Sequence, residues 1–237
     1  MRALVVAHDH ASPHGHVGRR LTERGFTVDR HLVVPEERYA EPGVTTDFPD
    51  FTGYDVVVLL GSPWGVYEKE KLGAWLLPEQ EQLRAADAAG TPVLGICFGG
   101  QLLADTHGGS VAPSPHPEIG FVEVAVSADG EGLVSGGPWF EWHFDRWELP
   151  PDAVELARND AASQAFVLRR NLAVQFHPEI DADGVQAWID NGGAAELAER
   201  GIDAGELVDG VRATETASYA RAAALVDAFL ERVAGLE

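Results

Sequence analysis

The sequence contains one cysteine, Cys97, and few basic residues. A single cysteine excludes a disulfide within these 237 residues and fits a reducing, cytoplasmic setting. Lysine and arginine number 17 against 38 aspartates and glutamates, for a formal net charge of -21. Phosphate backbones and anionic membrane surfaces repel so acidic a chain, so we expect no nucleic-acid partner and no membrane partner.

Long hydrophobic runs are also missing. No stretch approaches the roughly 20 apolar residues of a membrane span, and the first apolar run, Ala3 to Ala7, is too short for a signal peptide. Hydrophobic residues still make up 45% of the chain, which is enough for a full core. Neither a repeat nor a long linker divides the sequence, so we expect one domain over residues 1–237.

Short apolar runs alternate with helical patterns in the first half of the chain. Such runs are typical of strands buried on both faces, and strands separated by helices predict a parallel sheet. These strands are predicted at 3–7, 27–34, 56–60 and 93–96, with helices near 17–24 and 75–89.

The pattern changes after the first hundred residues. Apolar and polar residues alternate in 121–126 and in parts of 153–168, which predicts antiparallel strands. A further strand is predicted at 172–176, then a helix capped by Asp183 and a last helix at 217–233. The fold class we expect is α/β, with a mostly parallel sheet flanked by helices and an added antiparallel region.

Cys97 lies between a predicted strand and a predicted helix in the pattern Gly95-x-Cys97-x-Gly99. This spacing is the cysteine version of the strand–turn–helix nucleophile elbow, whose strained turn leaves no room for side chains two residues before or after the nucleophile. The start of the helix adds unpaired N–H groups beside the sulfur, which favours the reactive thiolate. The alternative is a buried cysteine that serves only as a small core residue.

His177-Pro178-Glu179 directly follows the predicted strand at 172–176. Side chains two residues apart in extended chain point to the same side, and Pro178 keeps His177 extended. His177 and Glu179 therefore lie together at the carboxyl end of a strand, where a base and the group that orients it are expected to meet a thiol nucleophile. Taken alone, His177 would more often be a structural histidine.

Four histidines near the N-terminus invite a metal hypothesis. They lie in a Gly/Pro loop without the spacing of a recognisable metal motif, so we expect no metal site there. These residues are His8, His10, His14 and His16.

The elbow Gly95-Ile96-Cys97-Phe98-Gly99-Gly100-Gln101, taken with His177-Pro178-Glu179, resembles the class I (triad-type) glutamine amidotransferases. The resemblance is closest to stand-alone members similar to the glutaminase domain of GMP synthase, and it covers nearly the whole chain. Weaker matches are the segments 60–67, 118–121 and 142–150. The resemblance implies a flavodoxin-like fold, no cofactor and a cytoplasmic enzyme that hydrolyses the side-chain amide of glutamine.

The resemblance also implies a role for each matching residue. Cys97 would form a γ-glutamyl thioester, His177 would transfer the protons and Glu179 would orient His177. The backbone N–H groups of Gly61 and Phe98 would form the oxyanion hole. The side chains expected to hold the amino-acid end of the substrate are Gln101, His143 and Asp145.

Two departures from the family pattern keep other functions open. Ser62 stands where the family often has a second glycine, and Phe144 replaces the glycine between His143 and Asp145. The first hypothesis is a glutaminase that delivers ammonia to a partner synthetase, because the chain lacks the G-x-x-x-x-G-K-[ST] motif of nucleotide-binding loops. The second is a self-contained γ-glutamyl peptidase or hydrolase. The third is a non-catalytic regulatory protein on the same fold.

Overall fold

The computed structural model describes residues 1–236. Strands and helices alternate up to residue 106, and strands then follow one another before the chain ends in helices. The strands are β1 (Arg2–Ala7), β2 (Thr27–Leu32), β3 (Val56–Leu59), β4 (Val93–Ile96), β5 (Ser110–Val126), β6 (Gly137–Glu148), β7 (Val154–Arg158), β8 (Ser163–Leu168) and β9 (Asn171–Val174). The helices are α1 (Gly15–Glu23), α2 (Lys69–Ala89), α3 (Phe98–Thr106), α4 (Ala182–Trp188), α5 (Ala194–Glu199) and α6 (Ala204–Ala228).

The strands form a sheet in the order β2-β1-β3-β4-β9-β8-β7-β5-β6. The first five in this order pair in parallel, and the remaining pairs are antiparallel. The predicted α/β fold, with a parallel sheet and an antiparallel extension, is therefore confirmed. Because β4 and β9 are parallel neighbours, the segments that follow them, which begin at Cys97 and Gln175, emerge at the same sheet edge.

Helices cover both faces of the parallel strands. On one face α1 and α6 contribute Val17, Leu21 and Val226 to the core, and on the other α2 and α3 contribute Trp75 and Leu102. Every residue of β3 and β4 is buried, as expected for strands covered on both sides. Within residues 1–236, no helix is both long and apolar enough to cross a membrane.

Two predicted helix boundaries were wrong. Helix α6 begins at Ala204 rather than near 217, with Asp203 as its N-cap. Its first three turns bury only Val208 and Val211, so they carry little apolar periodicity. Helix α4 is capped by Asp181, which accepts a hydrogen bond from the Gly184 N–H at 2.8 Å, and the predicted cap Asp183 lies in its first turn.

Candidate active site

Cys97 occupies a strained turn between β4 and α3. Its φ of 50° and ψ of -108° lie in a region that residues with a side chain rarely adopt. A Cβ atom on Gly95 would lie 2.6 Å from the Gly99 carbonyl oxygen, and one on Gly99 would lie 2.5 Å from the Leu59 carbonyl oxygen. Both glycines are therefore required sterically, as the elbow pattern predicts.

His177 and Glu179 form a buried pair beyond β9. The His177 Nδ1 atom lies 2.7 Å from Glu179 Oε1, and the two side chains are 3% and 2% exposed. Because a carboxylate accepts at Nδ1, the proton of a neutral ring sits there and the Nε2 lone pair is left for the thiol. Burial acts to lower the pKa of His177, but the Glu179 carboxylate and the Cys97 sulfur outweigh it and raise that pKa well above its usual value.

Cys97 and His177 open into a cavity of about 470 Å³. Gly61 lies beside both, because a Cβ atom there would come within 3.1 Å of His177 Cε1 and 3.9 Å of Cys97 Cβ. Within residues 1–236, neither the Gly61 N–H nor the Phe98 N–H donates to a backbone carbonyl. The Phe98 side chain is buried in the core, so only its backbone is available to a substrate.

The three predicted substrate-binding residues lie together on the cavity wall. Gln101 Nε2 donates to the Asp145 carbonyl at 3.3 Å, and His143 Nδ1 lies 2.9 Å from the same oxygen. The Asp145 carboxylate accepts from the Tyr67 hydroxyl at 3.1 Å, and burial raises its pKa. The Phe144 ring, which replaces the family's glycine, also lines the cavity and packs under the Arg200 guanidinium at 4.5 Å.

The opposite wall contains residues that the sequence patterns did not indicate. Trp188 packs edge-on against the His177 ring, with 4.8 Å between ring centroids. The Tyr39 hydroxyl donates to the Asn191 carbonyl at 3.2 Å, and Glu196 Oε2 accepts from Trp142 Nε1 at 2.8 Å. No motif marks these side chains, because they come from separate segments that only the folded chain brings together.

A buried acidic cluster lies behind His143. His143 Nε2 is 3.0 Å from Glu118 and 3.6 Å from Glu141. Burial, reinforced by the Glu118 charge, raises the pKa of Glu141 well above its usual value. The ligand atoms of the three residues lie within 4.8 Å of one another, as a metal site requires. Asn159 and Gln164 already donate to Glu118, however, and a proton on Glu141 accounts for the cluster equally well.

The N-terminal histidines contact separate partners rather than one another. His8 contacts Glu79, His10 Nε2 lies 2.8 Å from Asn191 Oδ1, and the His16 ring packs against Tyr219.

The sequence profile described as glutamine amidotransferase class-I matches residues 16–191. That range is more than half of the chain, and the protein therefore belongs to the class-I glutamine amidotransferase family. The match includes Cys97, His177 and Glu179.

Several curated relatives are described as GMP synthase (glutamine-hydrolyzing). The chain is 40% identical to the one from Thermomicrobium roseum over 133 residues, which is 52% of this chain and 23% of that protein. It is 32% identical to the one from Aeropyrum pernix over 203 residues, covering 77% of this chain and 38% of that protein. This chain therefore spans well under half the length of those relatives. It is also 32% identical to a separate GMP synthase subunit from Sulfurisphaera tokodaii, covering 63% of this chain and 83% of that protein.

Solved structures match over the whole chain. A glutamine amidotransferase from Thermotoga maritima superposes with a TM-score of 0.82 at 27% identity, covering 99% of this chain and 98% of the other. A glutamine amidotransferase from Methylobacillus flagellatus gives a TM-score of 0.81 at 25% identity, covering 100% and 95%.

Proposed function

We propose that this chain hydrolyses the side-chain amide of glutamine through a γ-glutamyl thioester on Cys97 and passes the ammonia to a partner synthetase. The main support is the geometry at the cavity, where a thiol on a strained turn lies beside a histidine that a carboxylate orients at 2.7 Å. In this proposal residues 1–237 act as one catalytic domain.

The proposed reaction begins with attack of the Cys97 sulfur on the amide carbon. The carbonyl oxygen becomes an oxyanion that accepts from the backbone N–H groups of Gly61 and Phe98. His177, charged and held by Glu179, gives its proton to the leaving nitrogen, so that ammonia departs and the thioester remains. His177 then takes a proton from water as the water attacks the thioester, which releases glutamate and restores the thiol.

The partner is proposed from the chemistry and from the relatives. Free ammonia at neutral pH becomes protonated and loses its nucleophilicity, so an enzyme that uses it benefits from receiving it directly. The relative from Sulfurisphaera tokodaii is described as one subunit of GMP synthase, which implies that another protein chain completes that enzyme. By analogy, we expect the acceptor of the ammonia to be a separate protein here.

A self-contained γ-glutamyl hydrolase is the second candidate, and the cavity supports it. Its volume of about 470 Å³ lies within the range of roughly 300–1,000 Å³ found for pockets that hold drug-sized ligands. Trp188 and Tyr39 line the part of the wall that the substrate-binding prediction does not use. A leaving amine larger than ammonia would contact these rings.

One panel of substrates tests the proposal. Wild-type protein and the Cys97→Ala variant are incubated with glutamine, γ-glutamyl methylamide and γ-glutamyl dipeptides, and the release of ammonia or amine is measured. We expect the wild type to release ammonia from glutamine and the variant to release none. Release that persists in Cys97→Ala contradicts the mechanism, and faster release from the dipeptides favours the hydrolase. No release from any substrate, even with an ATP-dependent synthetase captured by pull-down, supports the regulatory protein.

A further inference from the structure

His8 lies fully buried behind the loop that follows β3. Its Nδ1 atom is 3.2 Å from the Gly61 carbonyl oxygen, and its Nε2 atom is 3.1 Å and 3.2 Å from the two carboxylate oxygens of Glu79 in α2. Both side chains are 0% exposed. Each ring nitrogen thus faces an acceptor, and the ring satisfies both only as an imidazolium that carries two protons.

We infer that this His8–Glu79 pair is a positioning device for the oxyanion hole, because it fixes the peptide between Gly61 and Ser62 with its N–H group toward the cavity. The inference rests on the proposed function and adds His8 and Glu79 as positioning residues that do not touch the substrate.

The orientation of the peptide follows from its planarity. In a trans peptide the carbonyl and the N–H group point in opposite directions. The Gly61 carbonyl points back to His8, so the Ser62 N–H points away from His8. Gly61 and Ser62 line the cavity, whereas His8 and Glu79 lie behind it. Among residues 1–236, no backbone carbonyl accepts a hydrogen bond from the Ser62 N–H, which is therefore a further donor beside those of Gly61 and Phe98.

The same ring also contacts the second arm of the site. The His8 and Phe98 rings pack edge-on with 4.7 Å between centroids, and Trp75 closes the other side of His8 at 5.6 Å. His8 therefore contacts both segments whose backbone N–H groups are proposed to bind the oxyanion.

The electrostatics agree with a charged ring. Burial acts to lower the pKa of His8, but the adjacent Glu79 carboxylate outweighs it, and the pKa is raised. Stability alone does not require such a pair, because apolar residues of similar size often replace a buried ion pair without loss. The hydrogen bond to Gly61 is the contribution that apolar residues cannot supply.

This difference gives the test. The double variant His8→Phe/Glu79→Leu keeps a packed core but removes the donor to Gly61. Two rates are compared with those of the wild type: kcat for the best substrate of the panel, and the alkylation of Cys97 by iodoacetamide. Alkylation needs the thiolate but forms no oxyanion. We expect kcat to fall about 10- to 100-fold, while KM and the alkylation rate stay within about twofold.

Two further variants serve as controls. Glu79→Gln removes the charge, but the introduced amide donates to His8 Nε2 and leaves the Nδ1 proton on Gly61, so we expect kcat within about threefold of the wild type. His31→Phe exchanges a nearby half-buried histidine in β2 that makes no contact with Gly61, and we expect unchanged rates. Thermal melting checks that all variants fold.

The outcomes are distinct. An unchanged kcat in the double variant overturns the inference and leaves the proposed function intact. A parallel fall of kcat and alkylation also overturns it, because general damage to the site would act on both. If the wild type releases neither ammonia nor amine from any substrate, the proposed function is wrong and the inference fails with it.

Discussion

Gly61→Ala is the substitution whose effect the geometry defines most closely. The new Cβ atom would lie 3.1 Å from His177 Cε1, whereas ordinary contacts begin near 3.4 Å. The ring cannot simply swing away, because Nδ1 is held at 2.7 Å by Glu179 and Trp188 packs against it. The ring must therefore shift by about 0.3 Å or more. Because a displacement of about 1 Å costs roughly 100-fold in rate, we expect kcat to fall about 3- to 10-fold.

The stability of this variant should change little. Overpacking costs about 1–3 kcal/mol, and the lower chain entropy of alanine returns about 0.4–1 kcal/mol. The assay compares kcat, Cys97 alkylation and the free energy of unfolding with those of Gly73→Ala, a position in α2 with nothing within 4 Å of the added atom. We expect Gly73→Ala to be fully active and slightly more stable. A Gly61→Ala variant with the wild-type kcat would refute the proposed contact between Gly61 and the catalytic histidine.

Two other predictions concern buried or half-buried acids. Because burial and Glu118 raise the pKa of Glu141, its proton is lost on unfolding, so stability decreases as the pH rises from about 4.5 toward the folded-state pKa. Glu141→Gln should therefore match the wild type near pH 4.5 and gain on the order of 1–3 kcal/mol at pH 8 in chemical denaturation, and a loss at pH 8 would contradict this reasoning. Tyr67→Phe removes the donor to Asp145 and should raise KM for glutamine about 3- to 10-fold without changing kcat in steady-state assays; a lower kcat at constant KM would count against substrate binding there.

The parts of the site that the sequence predicts are those with local constraints. The strained turn at Cys97 leaves a pattern because the glycines two residues away, Gly95 and Gly99, meet backbone atoms at 2.5–2.6 Å. His177 and Glu179 are also predicted because two residues of extended chain suffice to place them together. In both cases a few adjacent residues determine the geometry.

The parts that the sequence does not predict depend on contacts between distant residues. Tyr39 and Asn191 meet across 152 positions of sequence, and His8 meets Glu79 across 71. His8 therefore looks like one of several polar residues in a loop until the fold brings α2 behind it. The start of α6 was missed for a related reason, because its first turns bury only a small satellite cluster and show little periodicity.

The unpredicted wall has a consequence for substrate choice. In both versions of the proposed function, His177 gives its proton to the leaving nitrogen, and the ring edge that Trp188 contacts borders the same cavity. The glutamyl portion is expected on the other wall, beside Gln101 and Asp145. The leaving group therefore emerges toward Trp188, Asn191 and Glu196, whose positions no motif encodes. A chain with the same Cys–His–Glu arrangement can thus release ammonia or a larger amine according to the space along this wall, and for that reason the residues shared with the family identify the reaction more readily than its substrate.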